Sequence, residues 1–432
     1  MQGHSFLTPA FLLFISAATI ITACNGSNNS SGGTSGGSSS ASPTPQPVTE
    51  KAVIDNYVTI AHSAYSDSLS AAQTLQTAIS TFLDQPNEDN LTQAKTAYKA
   101  LRIPYQQSEV MRWDTDITLN TNTGVSGIES VDAWEGQVNA WPLAEGLIDY
   151  TQDDSSNNII ASSNMITKAF LTSQNGLNND DANVATGIHA IEFLLWGQDL
   201  NGVNAGAGVR PASDYSTDSC SNGNCERRAQ YLRVVTELLV DDLTAMVAEW
   251  SPEAIQTEGT LANNFVNSDK ALAYIVGSMK VMADDELASA RMGTALETGD
   301  PEEEHDCFSD LSHVAIYHNF QGIKNAFYGT YKENSGAGFG DLLRERDQNL
   351  YETIDMLMIN IESKMSQILE TGERTNNTIR FDQIIGLGQG NTEFDNANSA
   401  SLDLIQLGLE LNLAREALSL EELNVNGGGD GD

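Results

Sequence analysis

From Lys51 onward apolar residues recur at threes and fours, the spacing of a helix face, and rarely at twos. Residues 51–83 carry this pattern without interruption. A second helix is predicted over 91–113, kinked or broken at Pro104, which has no amide hydrogen to continue the ladder. Residues 114–149 contain glycine and tryptophan and look irregular. Helices follow over 158–171, over the strongly apolar 184–197, and over 227–250, with a long loop at 199–224. Residues 259–296 predict one long helix or two shorter ones, and 311–328, 342–368 and 399–420 complete the set. Together they predict an all-α protein of two helical bundles in series. The junction falls near 249–259, where Ser251 and Pro252 can start a new helix. This gives an N-terminal bundle at 51–250, a C-terminal bundle at 251–423, and a disordered, acidic, glycine-rich tail at 424–432.

The first fifty residues follow another pattern. Residues 6–23 are mostly apolar and end in small residues directly before Cys24, although the basic residues that usually open a secretion signal are missing, the first Lys or Arg being Lys51. This reads as a secretion signal over 1–23 whose Ile-Thr-Ala-Cys ending is similar to the lipobox of bacterial lipoproteins, with Cys24 carrying the lipid. The alternative, a retained membrane anchor, is disfavoured by a short apolar core interrupted by Pro9, Ser16, Thr19 and Thr22. Residues 24–50, rich in Gly, Ser and Asn, read as a flexible tether. Asn25 stands where an aspartate would signal retention in the inner membrane, so the expected location is the outer membrane, at its periplasmic face or the cell surface.

Composition narrows the partners. The 432-residue chain has 59 acidic and 21 basic side chains, a formal net charge of -38. Phosphate recognition needs a basic footprint, so nucleic acid is excluded as a partner. Cations are drawn in, and attachment to an anionic membrane would rest on lipid at Cys24. Cys220 and Cys225 bracket a polar turn and could close a small disulfide loop or remain free thiols; further zinc ligands of the expected pattern are missing nearby. Cys307 is left over and expected to be buried.

Three segments could carry chemistry. In Thr186–Asp199, His189 and Glu192 stand three apart, so an imidazole nitrogen and a carboxylate share a helix face within reach of one metal ion. A hydrogen-bonded His–Glu pair explains the same spacing. The segment 299–329 crowds Glu302, Glu303, Glu304, His305 and Asp306 before a helix that Asp310 could cap. A solvated acidic loop is its plain reading; His313 and His318, five apart, do not share a face. Around 109–149, Glu109, Arg112, Glu129, Asp132, Trp134, Trp141, Glu145 and Asp149 suggest either pocket architecture or a packed loop pinned by aromatics. No His-Glu-x-x-His motif occurs.

Taken together these residues resemble the imelysin family of exported bacterial proteins, also described as insulin-cleaving membrane protease-like or iron-regulated protein A-like. Its Gly-x-His-x-x-Glu signature is matched by Gly187, His189 and Glu192, and the helix runs on through Gly197. Segments 127–150, 227–232 and 304–310 also look familial, so the resemblance spans about 53–420. It implies a two-domain helical fold, a site near the domain interface, and His189 and Glu192 as metal ligands. Glu109 and Glu129 are assigned as further oxygen ligands, with Arg112, Trp134, Asp149 and His313 supporting them. The expected ligand is iron, with zinc or calcium also suited to such donors. The expected function is that of a lipid-anchored extracytoplasmic metal-binding protein in iron capture or uptake, alongside iron-uptake partner proteins. A metallopeptidase of the imelysin type is the alternative, although no general base beside a metal-bound water is evident. A non-enzymatic surface module for haem or protein is the other.

Overall fold

The computed structural model describes residues 47–122, 128, 130–153 and 157–425. The signal at 1–23, Cys24, the tether up to residue 46, Glu129 and the tail from residue 426 lie outside the described residues.

Two long helices begin the fold, Glu50–Asp84 and Glu88–Ser108. Each starts at a residue whose side chain takes an otherwise unsatisfied amide hydrogen. The Thr49 hydroxyl accepts from Ala52 N at 3.2 Å, and the Asn87 amide oxygen accepts from Asn90 N at 2.9 Å. Pro104 lies inside the second helix and does not end it; the helix runs to Ser108 and tightens into a 3-10 turn at Glu109–Met111. The pair packs together, and the first helix also lies on the Cys225–Glu249 helix. Phe82 is fully buried there and meets Tyr215 edge-on, with ring centroids 4.9 Å apart. Burying a side chain of that size contributes about 1.5–3 kcal/mol.

The second half of the chain closes over the same helices. Ser312–Tyr328 packs on Glu88–Ser108, and Ala271–Val281 touches Glu50–Asp84. Gln348–Glu373 and Thr392–Ala417 pair as an outer layer. A two-residue hairpin, Thr330–Tyr331 with Asn334–Ser335, contains the strands found among the described residues. The fold is therefore all-α, as the pattern predicts. From Pro47 onward the chain forms one compact unit. A junction near residue 251 does not interrupt this packing, because the first two helices touch elements on both sides of it. Two bundles in series are not resolved as separate bodies.

Local departures from the expected helices have local causes. Over 158–171 only Lys168–Thr172 is regular helix. The Arg227 guanidinium takes the carbonyls of Ile159, Ile160 and Asn164 at 2.7–3.1 Å, and a carbonyl turned to a side chain is withdrawn from the helical ladder. The helix expected over 342–368 is two, Phe339–Arg346 and Gln348–Glu373, divided at Asp347, whose side chain caps Leu350 N at 3.0 Å. A further helix, Phe381–Leu387, has too few apolar turns to stand out in the sequence. Beyond Ala271–Val281 the chain widens into a π-helical stretch, Met282–Gly293. The Ala288 carbonyl there accepts from the Ser401 hydroxyl at 2.8 Å. Such widening often accompanies functional sites; here it delivers Glu286 and Arg291 to the interior.

Asp149, expected beside the site, serves instead as a clamp. It accepts from Arg210 at 2.6 Å and from Arg228 at 2.6 and 3.0 Å, and all three residues are buried. The Arg pair holds its carboxyl below the usual range against the upward push of burial. The adjoining loop is closed by a Cys220–Cys225 disulfide, and Cys307 is a buried free thiol. Asp149→Ala leaves buried Arg210 with only the longer Asp214 contact and Arg228 with backbone carbonyls, and is expected to cost about 3–5 kcal/mol. Urea unfolding measures this; a loss under about 1 kcal/mol would show that the clamp does not hold the loop against the Cys225–Glu249 helix.

Candidate metal centre

The Gly187–Trp196 helix is buried at all ten of its positions. A helix apolar all round belongs in a core, so its two polar side chains must find partners inside. Its start is fixed by Gly187. The residue has a φ of 84°, and a Cβ there would lie 2.4 Å from the Val138 carbonyl oxygen. Only glycine fits that approach. The preceding Thr186 hydroxyl donates to Gln137 O at 2.7 Å. These two contacts set the rotation of the helix, and thereby the direction of His189 and Glu192.

His189 Nδ1 lies 2.9 Å from Glu192 Oε2, one turn along the same face. The other Glu192 oxygen accepts from Ser309 N at 2.9 Å and from the Ser309 hydroxyl at 2.6 Å. Tyr98, on the second long helix, donates its hydroxyl to Oε2 at 3.1 Å. Burial nevertheless pushes the Glu192 carboxyl up to about 7, with the Ser309 hydroxyl opposing. Burial pushes His189 down to about 3, and the Arg102 charge acts in the same direction. The imidazole is therefore neutral at physiological pH. When the ionised carboxylate accepts from Nδ1–H, Nε2 keeps its lone pair, and Nε2 has no hydrogen-bond partner.

Asp306 completes the group. One ligand-type atom from each of His189, Glu192 and Asp306 lies within 4.8 Å of the others, and their exposures are 1%, 0% and 0%. Asp306 is shared with Arg102, whose Nε and Nη2 lie 2.8 and 2.9 Å from its two oxygens. Trp141 stands edge-on to the His189 ring at 5.1 Å, and the His305 ring is 4.6 Å from it. One neutral imidazole and two carboxylates, all buried and with a donor atom of each within 4.8 Å of the others, form a set that fits a divalent cation. Glu192 and Arg102 also orient the other two donors, as outer-shell partners do around metals.

The other expected residues fall in different places. Glu109 is not in this group. Both its oxygens are engaged by Arg291, at 2.9 and 3.1 Å, and it also accepts from Asn139 and Asn319. Arg112 does not pair with Glu109; it binds Asp132 at 2.7 Å and Glu286 at 3.1 Å. Glu109 still adjoins the site, because Asn139 donates to it and accepts from Arg102 at 2.7 Å. Trp134 is buried in the core, and Trp141 is the tryptophan that reaches the histidine. His313 is buried with Nε2 2.8 Å from Glu373. Nor is 304–310 a solvated loop. Glu304 through Asp310 are all buried, and Asp310 has a φ of 53° and pairs with Arg380 rather than capping the helix that follows. Asp306, His305 and Ser309 come from this segment, whose Glu-His-Asp run was visible; Tyr98 carried no signal of its own.

Keeping His189 neutral when buried has a thermodynamic sign. Its folded pKa lies below its unfolded value of 6.5, so the stabilisation is present above about pH 6.5 and is lost as pH falls towards 3. In chelator-treated protein, His189→Gln is expected to remove about 1.4 kcal/mol per pH unit from the slope of stability against pH inside that window. Urea titrations at stepped pH measure it, and an unaltered slope would contradict a buried neutral imidazole.

A family model described as imelysin matches residues 61–406. A search of curated proteins finds no match. Two solved structures are similar in fold. A candidate iron-regulated protein A precursor from Parabacteroides distasonis ATCC 8503 is 17% identical, with 87% of this chain and 97% of that one covered and a TM-score of 0.60. An imelysin-like protein from Psychrobacter arcticus 273-4 is 12% identical, with 89% and 100% covered and a TM-score of 0.54. At such identities the likeness speaks for the fold alone. The match to the family model, carried over most of an all-α chain and through the helix of Gly187, His189 and Glu192, makes this chain a member of the imelysin family.

Proposed function

We propose that the protein binds a transition-metal cation at His189, Glu192 and Asp306, iron foremost, and serves iron capture or uptake outside the cytoplasm. The observation that carries this reading is the convergence of the three buried donors with His189 Nε2 unpartnered. Mixed imidazole and carboxylate donors suit iron and zinc. Calcium takes oxygen ligands and is poorly served by the imidazole. The name of the Parabacteroides protein, iron-regulated, supports iron over zinc. The metal would bring Lewis acidity to the site; the chain's own residues bind and orient. Arg102 offsets one of the two carboxylate charges, Glu192 holds the His189 ring, and Trp141, itself packed on Phe308, stands edge-on to that ring.

An extracytoplasmic, lipid-tethered form is supported by the apolar run ending at Cys24 and by the disulfide, which persists in oxidising compartments. Cys24→Ser is expected to move the protein from the membrane fraction to the soluble fraction. Continued sedimentation with membranes would count against the lipid.

The metal reading is tested by anaerobic calorimetry of chelator-treated protein with ferrous ion. One equivalent is expected. His189→Ala and Asp306→Asn are expected to weaken it beyond the about 10–100-fold typical of losing a supporting residue. Glu109→Gln, which touches Arg291 and not the donors, is expected to affect affinity less than either. Equal affinity in wild type and His189→Ala would reject the site.

A further inference from the structure

A second group of donors lies on the other side of the segment that supplies Asp306. Glu304 and Asp310, from that segment, and Asp382, from the first turn of the Phe381–Leu387 helix, each place one carboxylate oxygen within 4.8 Å of the others. Each of the three residues is 1% exposed. Three carboxylates in so small a dry volume repel one another and lose hydration at the same time.

Their partners fall short of what such groups require. Arg380 Nη1 lies 3.2 Å from Asp310 Oδ2 and supplies a single guanidinium against the three acids. Glu304 Oε2, Asp310 Oδ1 and both oxygens of Asp382 have no hydrogen-bond partner. Asp382 is the independent sign. Its side chain is buried, lies at the start of a helix where anionic groups are favoured, is turned into the cluster, and has only the nearby Gln383 amide to favour its charge, with neither oxygen in a well-formed hydrogen bond. Asp199 and Glu192 add negative potential at Asp310. With the three acids ionised and Arg380 counted, two negative charges stay uncompensated, which is the charge of one divalent ion.

We infer that Glu304, Asp310 and Asp382 form a second, oxygen-only site for a hard divalent cation such as calcium or magnesium. Carboxylate oxygens are the donors such ions take, and the absence of nitrogen and sulfur from the set sets it apart from the His189 group. The segment 304–310 then serves both sites. Glu304 and Asp310 face the oxygen cluster, while Asp306 and Ser309 face Glu192 and His189. A cation among the first pair would hold in place the loop that supplies the second. The inference stands on its own donors and does not depend on iron binding at His189.

The test uses the full chain, stripped with chelator and given calcium or magnesium alone in calorimetry and thermal unfolding. Wild type and His189→Ala are both expected to take up one equivalent of one of these ions and to show a raised Tm. Asp382→Asn and Glu304→Gln, each shown folded by circular dichroism, are expected to bind it at least about tenfold more weakly and to lose the Tm rise. The wild-type titration needs no variant, so misfolding of a variant cannot protect the inference. Uptake of neither ion by wild type would overturn it. Equal uptake in Asp382→Asn would do the same, as would uptake abolished by His189→Ala and kept in Asp382→Asn.

Discussion

An ionisable carboxylate inside an apolar helix must be satisfied, and the architecture around Glu192 follows from that requirement. Among the described residues no guanidinium is hydrogen-bonded to it. Its oxygens are met instead by the Ser309 amide and hydroxyl, the Tyr98 hydroxyl and the His189 ring. Those groups come from the second long helix, the helix of Glu192 itself and the loop before Ser312–Tyr328. One side chain therefore joins three parts of the chain that packing of apolar faces alone would leave free to slide. A missing partner here would cost the full desolvation of a buried acid.

Beside it runs a set of buried ion pairs: Arg102 with Asp306, Arg291 with Glu109 and Glu286, and Arg112 with Glu286 and Asp132. Buried pairs seldom add net stability, since desolvation of both charges offsets much of their attraction. Their effect is directional. Arg102 fixes Asp306, Asn139 ties Arg102 to Glu109, and Glu109 is held by Arg291 from the π-helical stretch. Neutral hydrocarbon of the same volume would pack as well and would leave the donors unaimed.

How much of this was legible depends on the range of the contact. His189 and Glu192 were readable because a helix puts positions three apart on one face, and they meet at 2.9 Å. The all-α class was readable because periodicity is local. Glu109 and Arg112 share the same spacing and nevertheless choose partners 182 and 174 positions away. The rule that found one pair misleads for the other, because nothing local distinguishes an acid that faces its neighbour from one that faces the far half of the fold. Asp306 was visible in the Glu-His-Asp run but not as a donor to the same centre, for a similar reason. In sequence it belongs to an acidic run suited to solvent, and only the packing of distant helices buries it. Trp134 and Trp141 were equivalent as letters; the turn between them selects which ring meets the imidazole.

The near-complete burial of His189, Glu192 and Asp306 has a consequence in time as well as in energy. Side chains at 0–1% exposure meet water only when the structure opens locally. Protons and cations alike would then exchange with the solvent no faster than the 304–310 segment parts from the Gly187–Trp196 helix. Residence in such a site is a property of that opening rate. Different ions would then leave at one rate, and any difference in their affinity would have to arise on entry.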